Sequence, residues 1–211
     1  RRVVAADDTM SADTAYRLAC EGTGLLWQGD FHNARQLLQA LARRTERKPK
    51  KSKKPEASIT PMQAFNLHRQ ALGQRARILA MVIVPLEGDY TIPLRRAPDL
   101  KQACTEAWGP ANGEACMVSL RELLGVVGAH EWRKKGVEIA ALGEAPNNRI
   151  YPHYGVFSPV RGEYVDLVAN TQIKDKSLAF DIGVGTGVLS AVLAKRGVQR
   201  IIATDQDPRA L

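Results

Sequence analysis

Residues 177–207 read SLAFDIGVGTGVLSAVLAKRGVQRIIATDQD, and the order of residue types in this stretch decides the fold. Residues 177–182 are a short, mostly apolar run of the kind that forms a buried strand. Gly183, Gly185 and Gly187 follow it at once. Val188, Leu189, Val192 and Leu193 then recur at helical spacing, and Gly197 stands where glycine closes a helix. Residues 200–205 (RIIATD) supply the next strand. Strand, glycine loop, helix and strand make a βαβ unit, in which the two strands run parallel and the crossover is right-handed.

The glycines give the loop a chemical purpose. They let the backbone turn sharply and let a ligand approach where a Cβ would stand in the way. Ligands of such sheets bind outside the carboxyl ends of the strands. Asp205, 18 residues beyond Gly187, stands where an acidic side chain accepts hydrogen bonds from ribose hydroxyls. A dinucleotide loop wants G-x-G-x-x-G, whereas here the third glycine comes one place early and Val188 occupies the last position of that pattern. Asp181, two residues before the first glycine, would crowd an anionic pyrophosphate. It suits a cationic amino-acid group instead, which disfavours a nicotinamide cofactor.

The run Asp181-Ile-Gly183-Val-Gly185-Thr186-Gly187, followed by Ala203-Thr-Asp205-Gln-Asp207-Pro-Arg-Ala, resembles the first two motifs of class I S-adenosylmethionine-dependent methyltransferases. The segment Tyr154-Gly-Val-Phe157-Ser-Pro159 is similar to the F-x-P element that precedes the core in their small-domain group, which includes release-factor and ribosomal-protein glutamine methyltransferases and several RNA N-methyltransferases. The similarity covers residues 151–211. It implies a Rossmann-like sheet and S-adenosyl-L-methionine as cofactor. It implies a site in which Gly183, Gly185, Thr186 and Gly187 line the methionine part, Asp181 lies beside them, Asp205 holds the ribose, and Phe157 and Pro159 shape the adjoining wall. A helix carrying Tyr164 and Leu167 would help to cover the cofactor. The glutamine methyltransferases carry an acidic-Thr-acidic signature after this proline. Arg161-Gly-Glu163-Tyr164 stands there instead, which weakens a glutamine substrate.

The resemblance also predicts a seven-stranded core and an acceptor motif, Asn or Asp, then Pro-Pro and an aromatic, after the fourth strand. The sequence reaches Leu211 with two such strands and without that motif. The expectation is therefore a truncated enzyme, catalytically inactive in this form, whose parent methylates a nitrogen on RNA or on a translation protein. No catalytic residue is assigned.

Residues 1–145 precede the resemblance, and their reading is a mixed α+β substrate-recognition domain, with residues 146–211 as the start of the methyltransferase domain. Residues 8–44 read as helical with a break at Gly22 to Gly24 and Asp30: Ser11 or Asp13 caps a helix through Ala15, Leu18 and Ala19, and after the break Phe31, Ala34, Leu37, Leu38 and Leu41 form an apolar stripe. Thr60-Pro61 opens a helix carrying Phe65, Leu67, Leu72 and Ala76. Residues 78–86 read as a strand, 99–108 as a helix, and 120–130 as helix or strand. Asp207-Pro208 reads as a helix start.

The chain has 211 residues, a net charge of +8 and 45% hydrophobic residues, values that exclude global disorder. The charge is local. Residues 43–54 (RRTERKPKKSKK) hold eight basic side chains and one acidic one, while the other 199 residues hold 22 basic and 21 acidic. Within residues 44–58 there is nothing large and apolar to bury, so a disordered basic loop is expected there. Such a loop binds RNA phosphates without sequence preference, if it binds anything. An RNA- or ribosome-binding module without methyl transfer is the alternative function.

Other chemistries find little support. Cys20, Cys104 and Cys116 are far apart and odd in number, which reads as three reduced thiols acting as small hydrophobes in a cytoplasmic protein. His32, His68, His130 and His153 are scattered, and His130-Glu131 lacks the second histidine of a zinc-protease helix because Lys134 stands in its place. No metal site is expected. Trp27, Trp108 and Trp132 read as packing residues. No apolar run reaches the roughly 18 residues of a membrane helix.

Overall fold

A computed structural model describes residues 2–46, 60–157 and 162–211. Most of the basic run and the expected wall residue Pro159 lie outside the described residues. The chain divides into two compact units, Arg1–Gln102 with Ala111–Gly125, and Ala103–Pro110 with Val126–Leu211. The domain boundary expected at 145/146 thus lies inside the second unit.

The first unit alternates strand and helix: β1 (Val3–Ala6), α1 (Ala12–Cys20), β2 (Gly24–Trp27), α2 (Phe31–Thr45), α3 (Pro61–Leu79) and β3 (Val82–Leu86). After α4 (Lys101–Trp108), β4 (Cys116–Ser119) completes a sheet of order β1-β2-β3-β4. The first three strands are parallel and β4 is antiparallel to β3. The chain is therefore α/β, and the α+β reading of its N-terminal region is corrected. Residues 8–44 are not wholly helical, because Gly24-Leu-Leu-Trp27 forms a strand. Leu25 and Trp27 are buried in β2, which has a neighbour on each side, and a continuous apolar run is what such a position requires.

Caps set the helix starts. Ser11 accepts the Thr14 N–H at 3.2 Å, and Thr60 and Gln63 form a reciprocal capping box. Asp30 accepts the His32 N–H at 2.8 Å and begins α2. Its other carboxylate oxygen accepts from Arg96 Nε at 2.6 Å, and the residue is 3% exposed. The strand expected over 78–86 begins only at Val82, because Ile78 and Leu79 complete the last turn of α3. Phe65, Leu67 and Leu72 of that helix are exposed, and its buried apolar positions are Ile78 and Leu79. α2 continues to Thr45, so the expected loop does not begin at 44, and Arg44 is paired with Asp13 at 2.8 Å.

The division between the units falls within α5 (Leu120–Lys135), which resolves the ambiguous 120–130 stretch as helix. In the second unit β5 (Val137–Glu138) pairs antiparallel with β6 (Arg149–Ile150). α6 (Glu163–Asn170), β7 (Ala179–Ile182), α7 (Val188–Lys195) and β8 (Ile201–Thr204) follow. β7 and β8 are parallel, with Ala179 opposite Ile201 and Ile182 opposite Thr204. Val137, Ile139, Val165, Val188 and Val192 form the buried core of this unit. Each such side chain contributes about 1.5–3 kcal/mol on burial. Gly197, at φ +87°, ends α7 in a left-handed turn, with the Val198 N–H donating to the Leu193 carbonyl at 3.1 Å. Residues 208–210 form a turn, and the Asp207 carboxylate accepts the Arg209 N–H at 3.0 Å, the contact a helix N-cap makes.

Candidate functional site

The loop between β7 and α7 is shaped by backbone direction. Gly183, Gly185 and Gly187 have φ of +80°, +52° and +74°, a region costly for a residue with a Cβ. A Cβ on Gly183 or Gly187 would meet nothing within 4 Å, so the space beside those two positions is open. A Cβ on Gly185 would lie 3.7 Å from the Cβ of Phe157. The N–H groups of Gly183 and Val184 both donate to the Thr204 carbonyl, at 2.8 and 2.9 Å. The glycine loop is thereby tied to the end of β8.

Asp205 adds a second tie from the same strand end. One carboxylate oxygen accepts the Gly185 N–H at 2.8 Å and the other accepts the Asp207 N–H at 2.9 Å. The Asp207 and Gly185 amides, in that order, hold its carboxyl below the usual carboxylate range. Each oxygen of an ionised carboxylate has a further lone pair, so these bonds leave room for ligand hydroxyls. Asp207 is drawn down to about 2, chiefly by the Arg209 guanidinium.

Asp181, in β7, is 9% exposed, and its carboxylate accepts from the Ser190 hydroxyl at 2.7 Å. Sequence reasoning did not single out Ser190. Its signal was a lone hydroxyl inside the apolar run Val188-Leu-Ser-Ala-Val-Leu193. The hydroxyl fixes one carboxylate oxygen from the helix that the glycine loop opens.

Phe157 lies beside Gly185, and its ring is 6.1 Å from that of Tyr164, tilted by 53°. Tyr164 packs on the core of the second unit. The Tyr164 hydroxyl and the Thr186 Oγ1 are both buried without a hydrogen-bond partner among the described residues. Buried polar atoms left so are costly, and they are places where a ligand or water completes a network. Leu167 is 68% exposed, whereas Tyr164 and Val168 of the same helix pack on the core. Asp181, Gly183, Gly185, Thr186, Gly187, Asp205 and Phe157 therefore occupy one end of the β7–β8 pair or its immediate surroundings. Backbone donors, two carboxylates and the open space beside Gly183 and Gly187 lie together there.

The remaining candidates are dispersed. No group of three or more His, Cys, Asp or Glu side chains able to hold a metal occurs among the described residues. His130 Nδ1 lies 2.9 Å from a Glu106 carboxylate oxygen. Cys104 is buried as a small hydrophobe, but Cys20 and Cys116 are exposed, contrary to the packing reading. Trp27 is buried, whereas Trp132 is 52% exposed and is not a core residue. No described helix is long and apolar enough to cross a membrane. No protein-family model and no curated protein matches the chain.

Proposed function

We propose that the second unit binds S-adenosyl-L-methionine as part of a Rossmann-like methyltransferase. The observation that carries this reading is the Asp205 carboxylate clasped to the Gly185 amide at 2.8 Å, beside a loop of three left-handed glycines. That arrangement gathers a hydroxyl acceptor, an open backbone surface and the Asp181 carboxylate at one strand end. The buried, unpartnered Thr186 Oγ1 and Tyr164 hydroxyl support it further.

In this reading Asp205 accepts from the ribose hydroxyls, and Gly183 and Gly187 admit the methionine part without a side chain in the way. Asp181, held by Ser190, faces the ammonium group. Phe157 walls the site next to Gly185. The cofactor supplies an electrophilic methyl group when bound. A nitrogen of RNA or of a translation protein is the proposed acceptor, and RNA draws its support from the +7 of residues 43–54.

Calorimetry with S-adenosylhomocysteine tests the reading. Binding that is lost in Asp205→Ala and in Gly185→Val supports it. Absence of binding, or binding that survives both substitutions, defeats it. The same titration with NAD separates it from a nicotinamide site.

A further inference from the structure

Trp132 stands at the C-terminal end of α5 with 52% of its surface in water, and it forms one wall of a cavity of about 360 Å³ in the second unit. That volume lies within the roughly 300–1,000 Å³ of small-ligand sites. Ile139 and Val165, both buried, and Ala140 make the apolar wall. The charged residues that line the cavity are Glu138 and Asp166, both acidic. Glu138 is bridged to Arg149, so part of its charge is neutralised. Asp166 has no ion pair among the described residues. The basic residues of the last turn of α5, Arg133, Lys134 and Lys135, do not line the cavity, and Arg133 and Lys134 face Glu106 and Glu131 at 3.6 and 3.8 Å.

An apolar wall accepts methylenes, an indole face attracts a cation, and a carboxylate at the rim completes its charge. An anion would meet two carboxylates, and a neutral apolar group would gain nothing from Asp166. The geometry points to a recognition site for a cationic side chain with an aliphatic stem, lysine or arginine, presented by a peptide partner. The site stands on residues outside the glycine loop and does not require the cofactor reading.

Titration of the whole protein with three blocked tripeptides, Ala-Arg-Ala, Ala-Lys-Ala and Ala-norleucine-Ala, followed by indole fluorescence and by calorimetry, tests it. The cationic peptides are expected to change the emission, with no change in Trp132→Phe. Asp166→Asn is expected to weaken them by about tenfold, and the norleucine peptide to bind at least about tenfold more weakly than either. Asp166 is exposed, so its substitution leaves the fold intact, which circular dichroism verifies. A stronger response to one of the cationic peptides assigns the site to guanidinium or to ammonium. Equal binding of the norleucine peptide, affinity unchanged in Asp166→Asn, or no heat and no emission change with any peptide would overturn the proposal.

Discussion

The Asp205 carboxylate holds the Gly185 amide at 2.8 Å across 20 residues of chain, joining the end of β8 to the middle of the glycine loop. The same contact lowers the pKa of Asp205, after the larger effect of the Asp207 amide. A carboxyl held low in the folded state contributes stability that is complete above its unfolded pKa of about 3.9 and is lost as pH falls from there through the lowered folded value. Denaturation midpoints measured on the acid side should therefore decline for the native chain. The decline should be shallower in Asp205→Asn, and an equal acid slope in the two proteins would contradict this account.

Gly185→Val places a β-branched side chain at φ +52° with its Cβ against Phe157. Strain of this kind costs roughly 1–3 kcal/mol. Chemical denaturation should register a loss of that size, and Gly73→Ala, in α3 and with nothing near its Cβ, should show none.

Ser190→Ala removes the donor to a nearly buried carboxylate. The second unit should lose about 1–3 kcal/mol of stability, as expected for an acceptor left unsatisfied. Asp181→Ala combined with Ser190→Ala should cost less than the two separate losses added, because each removes the same contact. Additivity in that double-mutant cycle would show that the two side chains do not act together.

Asp30 has two duties in the first unit, capping α2 and receiving Arg96, whose guanidinium is the main reason its carboxyl is held low. Asp30→Asn keeps a capping oxygen and gives up the charge, whereas Asp30→Ala gives up both. The alanine variant should unfold at distinctly lower denaturant than the asparagine variant. Matching midpoints would mean that the cap contributes nothing.

The parts of the molecule legible in the sequence are those whose signal is local. Residues 177–204 carried strand, left-handed turn, helix and strand in contiguous residue types, and the parallel pairing of Ala179–Ile182 with Ile201–Thr204 follows that order. Gly24-Leu-Leu-Trp27 gave a weaker signal: four residues between two helical patterns identify themselves as a strand only through pairing with Val3–Ala6 and with β3, far along the chain. The end of α3 failed for a related reason. Ile78 and Leu79 are as apolar as the strand that follows them, and only the backbone shows that the helix claims them. At the site, the glycines and the two aspartates announce themselves by type and spacing. Ser190 acts through one contact made across the fold, and the size of Trp132 alone does not say whether its indole is covered.

Val137 and Ile139 precede the glycine loop by more than 40 residues, yet they share a core with Val188 and Val192, which open the helix after it. The unit that presents the loop is therefore not portable as residues 146–211. A graft, a domain swap or a recombination breakpoint at that junction would carry away the motif and leave Val137 and Ile139, two of the five residues of that buried cluster, behind. Transfer from about residue 126 would keep loop, helix and this cluster together, although the second unit also takes in Ala103–Pro110.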